Sequence, residues 1–260
     1  MAMVDQSLPK ENFRDWLNEF RQDLKFRYVP FRGYYKLRAY KYMLWKSPEM
    51  GLLQFLTDPR KDSLDIGANL GLFTYFLARY TRHVYAFEPN PYPLRSLKAV
   101  IDRNVTVLPM AVSDRSGEAE LVVPKSRKGW SSNGAALDKK TTGRAARLTV
   151  PCTTIDDLDY RDIGFIKIDI EGHEKAALLG ARRTIARERP NLFIENELVH
   201  AGSEVSEGFA LLHDMDYDGF ALIDGVLTNL RHFSFEERQT KYRGSRNRHG
   251  YVKNFIFIPK

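Results

Sequence analysis

Four residues in one short loop have the types and spacing to hold a nucleotide-like cofactor: Asp65, Gly67, Asn69 and Gly71 in "LDIGANLG". The loop follows a short apolar run at 62–67 and precedes an apolar-periodic segment that reaches about Tyr80. Glycine costs backbone entropy, so two of them four residues apart imply that something comes close to the backbone. A helix starting just after the turn also offers its first N–H groups to a ligand. Glu88 stands 23 residues beyond Asp65, at the end of the next apolar run "HVYAFE". An acid in that place accepts hydrogen bonds from ribose hydroxyls.

The charge on the turn selects among cofactors. The dinucleotide pattern G-x-G-x-x-G is absent, and Asp65 beside the turn would repel a pyrophosphate while suiting an ammonium group. S-adenosylmethionine carries an ammonium and a sulfonium and no phosphate, so it is the expected cofactor, ahead of a dinucleotide. In an open parallel sheet the ligand lies beyond the carboxyl ends of the strands. That rule adds Ala111 (backbone against adenine), Ser113 with Asp114 (adenine amino group) and Asp169 to the cofactor-binding candidates.

The segment "FIKIDIEGHE", 165–174, places Lys167, Asp169 and Glu171 in alternation with isoleucines. Ionisable groups on a doubly covered strand are expensive unless they pair or open into a cleft. Two readings stand: a buried Lys167–Asp169 pair, or Asp169 and Glu171 lining a cofactor and acceptor cleft. Glu195 and Glu197 in "NLFIENE" share a strand face, and Glu195 is expected opposite Glu171. Paired carboxylates raise one pKa and make a general base, or hold a divalent ion. His173 and His200 are alternative bases. The catalytic candidates are therefore Asp169, Glu171, His173 and Glu195. No H-x-x-x-H or cysteine cluster points to zinc, and no metal is assigned.

These residues need a scaffold that brings strand ends together. Short apolar runs at 62–67, 83–88, 105–112, 164–170 and 191–197 alternate with helical patterns to about 80, at 91–103, at 173–188 and near 204–215. That alternation predicts an α/β fold with a mostly parallel sheet covered by helices on both faces. "GFALID" and "NFIFIP" read as a closing antiparallel pair, for seven strands in all. The alternation pauses at 113–150, where "EAELVV" and "ARLTV" flank a loop at 124–145 that is expected to project and be mobile. Residues 1–60 read as a basic, aromatic helical extension, and 61–260 as the main domain.

The chain has 260 residues, 43% of them hydrophobic, enough for a buried core. Cys152 is the sole cysteine, which excludes an internal disulfide and reads as structural. No apolar run is long enough to span a bilayer, and the first residues are too polar for a secretion signal, so a cytoplasmic location is expected. The net charge of +7 favours an acidic partner. It is concentrated at residues 21–46, with eight Lys/Arg, eight aromatics and only Asp23 in opposition. Such a stretch suits a membrane interface or a nucleic-acid surface, or packs its aromatics on the main domain as a helical layer.

"LDIGANLGLFT", "VYAFEPNP", "PMAVSDRSGEAEL", "TTIDDL", "FIKIDIEGHEKAALLGA" and "NLFIENE" occur in this order at suitable distances. Together they resemble the FkbM family of S-adenosylmethionine-dependent methyltransferases over about residues 61–200. The resemblance implies a Rossmann-like class I methyltransferase fold and transfer to a hydroxyl of a sugar, glycan, glycolipid or natural product. It carries Asp65, Gly67, Asn69 and Gly71 onto the cofactor turn, Glu88 onto the ribose acid, and Asp169, Glu171 and Gly172 onto the D-x-E-G element. The first 60 residues and the 124–145 loop fall outside it, and substrate choice is expected there. The alternatives are a nucleic-acid methyltransferase and a non-catalytic cofactor-binding protein. An N-P-P-Y element for methylating base amino groups is missing after the fourth strand, which disfavours the former.

Overall fold

Helix α1 (Phe31–Trp45) and a short helix α2 (Leu53–Leu56) precede the first strand in the computed structural model. The described residues are 31–126, 129–130, 134–137, 143–198, 202, 204–243, 245 and 249–260. Residues 1–30 of the expected 1–60 extension, and His200, lie outside them. The apolar run after residue 61 becomes β1 (Asp62–Ile66), buried at every position, and the glycine turn leads into α3 (Leu72–Tyr80). β2 (Val84–Phe87), α4 (Pro91–Val100) and β3 (Val105–Leu108) continue the alternation. Asn90 caps α4 by accepting from Tyr92 N, and Pro91 supplies a pre-set φ in the first turn.

The predicted third strand, 105–112, is two strands in two sheets. Pro109 has no N–H to continue the ladder, and the chain leaves the main sheet after Leu108. It resumes as β4 (Ala111–Val112), parallel to β8 (Ala145–Thr153). β8 pairs antiparallel with β5 (Gly117–Ser126), and β6 (Gly129–Trp130) and β7 (Ala136–Leu137) add to β5. The predicted projecting loop at 124–145 therefore contributes, in its described part, to a second, five-stranded sheet with its own small core containing Cys152.

β9 (Ile163–Ile168) returns the chain to the middle of the main sheet. The single helix expected at 173–188 is two, α5 (Glu174–Gly180) and α6 (Arg182–Glu188). Gly180 lies against the Ser113 backbone, where an added Cβ would stand 1.9 Å from the carbonyl oxygen. The Asp156 carboxylate then starts α6 by accepting from the N–H groups of Arg183 and Thr184. β10 (Asn191–Glu195), α7 (Glu204–Asp214), β11 (Tyr217–Ile223), β12 (Val226–Asn229), α8 (Phe235–Arg238) and β13 (Asn254–Pro259) complete the order.

The main sheet runs β12-β11-β13-β10-β9-β1-β2-β3, eight strands where seven were expected. β10, β9, β1, β2 and β3 are mutually parallel, and the predicted antiparallel pair β11–β13 lies beside β10. The extra strand is β12, a hairpin partner of β11. Helices α1–α4 cover one face and α5–α7 the other, each with a continuous apolar core. This is the class I methyltransferase arrangement, and it gathers the carboxyl ends of β1, β2, β9 and β10 along one rim.

Candidate active site

A cavity of about 280 Å³ opens along that rim. Of the candidates, Gly67, Asn69, Glu88, Ala111, Asp169, Glu171, His173 and Glu195 line it, whereas Asp65, Gly71 and Ser113 do not. The three absentees stand directly behind the wall. Asp65 is fully buried; its Oδ2 accepts from Thr74 Oγ1 at 2.6 Å and its Oδ1 lies 3.3 Å from Lys167 Nζ. Its charge is thus matched inside the protein rather than presented to a ligand ammonium. Gly71 is the left-handed N-cap of α3, under the Leu97 side chain and the Tyr35 hydroxyl.

Gly67 also has a left-handed φ of 79°, and a Cβ there would meet the Asp169 carbonyl oxygen at 1.9 Å. The close approach that the glycine permits is made by the neighbouring β9 loop. Lys167 stitches the same two segments. It is 2% exposed and donates to Gly67 O at 2.7 Å, with Asp169 Oδ2 at 3.4 Å. Burial alone would favour the neutral amine, but Asp169 and Asp65 outweigh it and hold the ammonium charged. Lys167 and Asp169 pair, as one reading of the charged strand expects, and Asp169 and Glu171 also line the cavity.

Glu88 follows β2 and is nearly buried. Its Oε2 accepts from Asn69 N at 2.7 Å and its Oε1 from Asn90 N at 2.8 Å. Burial pushes its pKa up to about 7, against those two donors and the Lys167 charge. Two carboxylate oxygens with one backbone donor each retain acceptor capacity for a vicinal diol. Phe87, Met110, Val112, Leu121 and Leu137 add apolar wall to the cavity, the last three from the second sheet.

At the other end, Glu195 sits beside Asp169. The register pairs Ile194 with Ile168, so its neighbour across the strands is Asp169 and not Glu171 as expected. Burial and then the Asp169 charge raise its pKa, while Lys253, 2.5 Å from Oε1, opposes them. Glu171, held at φ 58°, accepts from Gly134 N at 3.0 Å and so ties the second sheet's loop to the rim. His173 Nε2 is 2.8 Å from Ser113 Oγ, which also donates to Asp114. Ser113 therefore steadies His173 from behind the wall. Glu197 accepts from the Tyr251 hydroxyl.

Sequence reasoning missed five contributors. Glu174, 2% exposed, accepts from Ile170 N and Gly172 N and holds the D-x-E-G loop; its pKa is pushed to about 7 by burial. The signal was present, as an acid at the start of a helix directly after Gly172. Lys253 reaches Glu195 only through β13–β10 pairing, which no local pattern reveals. Arg38 and Tyr42 line the cavity from α1, and Tyr35 on the same helix donates to Leu70 O at 2.6 Å. Among the described residues no group of three or more His, Cys, Asp or Glu is arranged to hold a metal ion.

The strand order, the glycine turn and a buried acid after β2 are those of a class I methyltransferase fold. The Methyltransferase FkbM domain family matches residues 65–220, more than half of the chain. The protein belongs to this family; methyl transfer from S-adenosylmethionine is the activity expected of it. No curated protein matches the sequence. Among solved structures it is similar to methyltransferase FkbM from Methylobacillus flagellatus KT, at 17% identity and a TM-score of 0.48. That match covers 95% of this chain and 62% of the other, so this chain spans under two thirds of that protein's length. It is also similar to the O-methyltransferase from Bacillus cereus in complex with SAH, at 13% identity and a TM-score of 0.48, covering 93% and 97%. The membership rests on the family match, since both superpositions are loose.

Proposed function

We propose that this methyltransferase acts on a hydroxyl of a sugar, glycan, glycolipid or natural product. The observation that carries the reading is the pairing of Asp169 and Glu195 at one end of a cavity whose other end holds Glu88. When bound, the cofactor supplies a methyl group already activated on a sulfonium, so the protein needs chiefly to position the acceptor and take its proton. Glu88 accepts from the ribose hydroxyls, and the apolar wall beside it takes the adenine. Asp169, close to the glycine turn, faces the ammonium end.

Glu195 would accept the proton from the acceptor hydroxyl as its oxygen takes the methyl group, the C–S bond of the sulfonium breaking to leave a neutral thioether. Its raised pKa matches a base working near neutrality, and Lys253 orients its carboxylate. Holding both reactants in one cavity supplies the larger share of the acceleration. The test is transfer of a labelled methyl group to a panel of neutral and acidic glycans and glycolipids. Label appearing only in polynucleotide, with salt-sensitive binding, would overturn the hydroxyl reading.

The outer face of α1 bears on where the reaction takes place. Tyr34, Leu37, Leu44 and Trp45 are 55%, 56%, 65% and 80% exposed, and "FRGYYKLRAYKYMLW" contains no acid. No helix among the described residues is long and apolar enough to cross a membrane. Apolar side chains interleaved with Lys36 and Lys41 are complementary to an anionic lipid surface, where lipid-linked acceptors reside. The enzyme is expected to sediment with phosphatidylglycerol vesicles at low salt and less so after Leu44→Ser/Trp45→Ser. Absence of binding at low salt would sink this part of the reading.

A further inference from the structure

Helix α1 also has an inner face, read at helical spacing as Tyr35, Arg38, Ala39 and Tyr42. Tyr35 and Ala39 are buried, and Arg38 and Tyr42 line the cavity. Three cations line it altogether among the described residues: Arg38, Lys167 and Lys253. Lys167 is matched by Asp65 and Asp169, and Lys253 by Glu195. Arg38 is exposed and makes no ion pair with any described residue. Of the three lining cations it alone has no carboxylate within ion-pair distance among the described residues. A guanidinium presents a planar fork that fits a carboxylate or phosphate with two parallel hydrogen bonds.

Resting on the methyl-transfer reading, we infer that Arg38 forms an anion subsite at the mouth of the cavity. The acceptor carries an oxyanion, a carboxylate or a phosphate, near the hydroxyl that is methylated. Arg38 anchors that oxyanion, and the anchored acceptor is drawn along the wall past Tyr42 toward Glu195. The carboxylates at that end repel an anion placed deeper, so the anchor also sets the acceptor's direction: charged end outward, hydroxyl inward. Lys36 and Lys41, which do not line the cavity, take no part.

The test uses the full chain saturated with S-adenosylhomocysteine and three probes: methyl β-glucuronide, glucose 1-phosphate and methyl β-glucoside. Affinities are read by calorimetry. At least one anionic probe is expected to bind about tenfold more tightly than the neutral glucoside, the worth of one charge-assisted contact. Arg38→Gln should bring the two within about twofold, Arg38→Lys should recover part of the difference, and Lys41→Gln should leave it intact. The stronger of the two anionic probes separates a uronate-type acceptor from a phosphorylated one. An equal or undetectable affinity for all three probes, or a preference that survives Arg38→Gln, overturns the subsite. Failure of S-adenosylhomocysteine itself to bind overturns the methyl-transfer reading instead, which keeps the two outcomes apart.

Discussion

At the β1 end of the cavity, Lys167 is 2% exposed and lies between Asp65 and Asp169, whereas at the α1 end Arg38 is exposed with no ion-pair partner among the described residues. Both ends carry ionisable groups on regular secondary structure. The difference lies in what completes them. At the β1 end Lys167 and Asp65 are buried against each other and Glu88 is held by two backbone donors, so the geometry exists before any ligand arrives. At the α1 end no described residue meets the charge. Such a division suits a constant cofactor and a variable acceptor.

The contrast can be broken or sharpened by substitution. Gly67→Ala should do most damage, because it demands a left-handed φ of a residue whose Cβ would overlap the Asp169 carbonyl. Loss of most of the soluble, folded protein is expected by circular dichroism; a normal melting curve would mean that the two loops can part freely. Lys167→Met should come next. It leaves Asp65 buried with only Thr74, and removing one partner of a buried pair costs about 3–5 kcal/mol, to be read from urea unfolding. The exposed Trp45→Ser at the other end should stay within about 0.5 kcal/mol.

Glu195→Gln tests the acceptor end through rate rather than stability. Turnover should fall by about 100- to 10,000-fold with cofactor affinity unchanged, as checked by single-turnover methyl transfer beside calorimetry. An equal loss in both would move Glu195 out of the base role. Glu88 gives a pH signature at the cofactor end. Its pKa is about 7 in the folded protein, above the ordinary carboxylate value of 4.5. Its contribution to stability is therefore full below about 4.5 and is lost as pH rises through about 7, by about 3 kcal/mol. Relative to Glu88→Gln, wild-type protein without cofactor should lose stability across that window. Hydroxyl donors favour the ionised form, so wild-type cofactor affinity should climb over the same range and flatten in the variant. The smallest effect is expected from Glu171→Gln, whose amide oxygen still accepts from Gly134 N; a roughly threefold rise in acceptor KM is the sign of a loosened tie.

Sequence alone marked the parallel strands, the glycine turn and Glu88, because each rests on a local pattern: apolar runs, positive-φ glycines, an acid at a strand end. It placed Asp65 against the ligand, but the acid serves Lys167, a contact set by β1–β9 pairing across a hundred residues. It drew one strand through Pro109 and one helix through Gly180, where a missing donor and a backbone contact divide them. Lys253 and Arg38 carried no local sign at all. Their relevance comes from which strand lies beside β10 and which helix face turns inward, both decided by tertiary packing.

The position of β13 has a consequence for how the enzyme is made. It follows every other described strand in the chain, yet it is inserted between β10 and β11. During synthesis the earlier strands emerge with that slot unfilled, and Glu195 meets Lys253 only once residues 253–259 have left the ribosome. A nascent chain can therefore assemble its glycine turn well before Glu195 gains its lysine partner, which holds back the completed cavity until translation has passed β13.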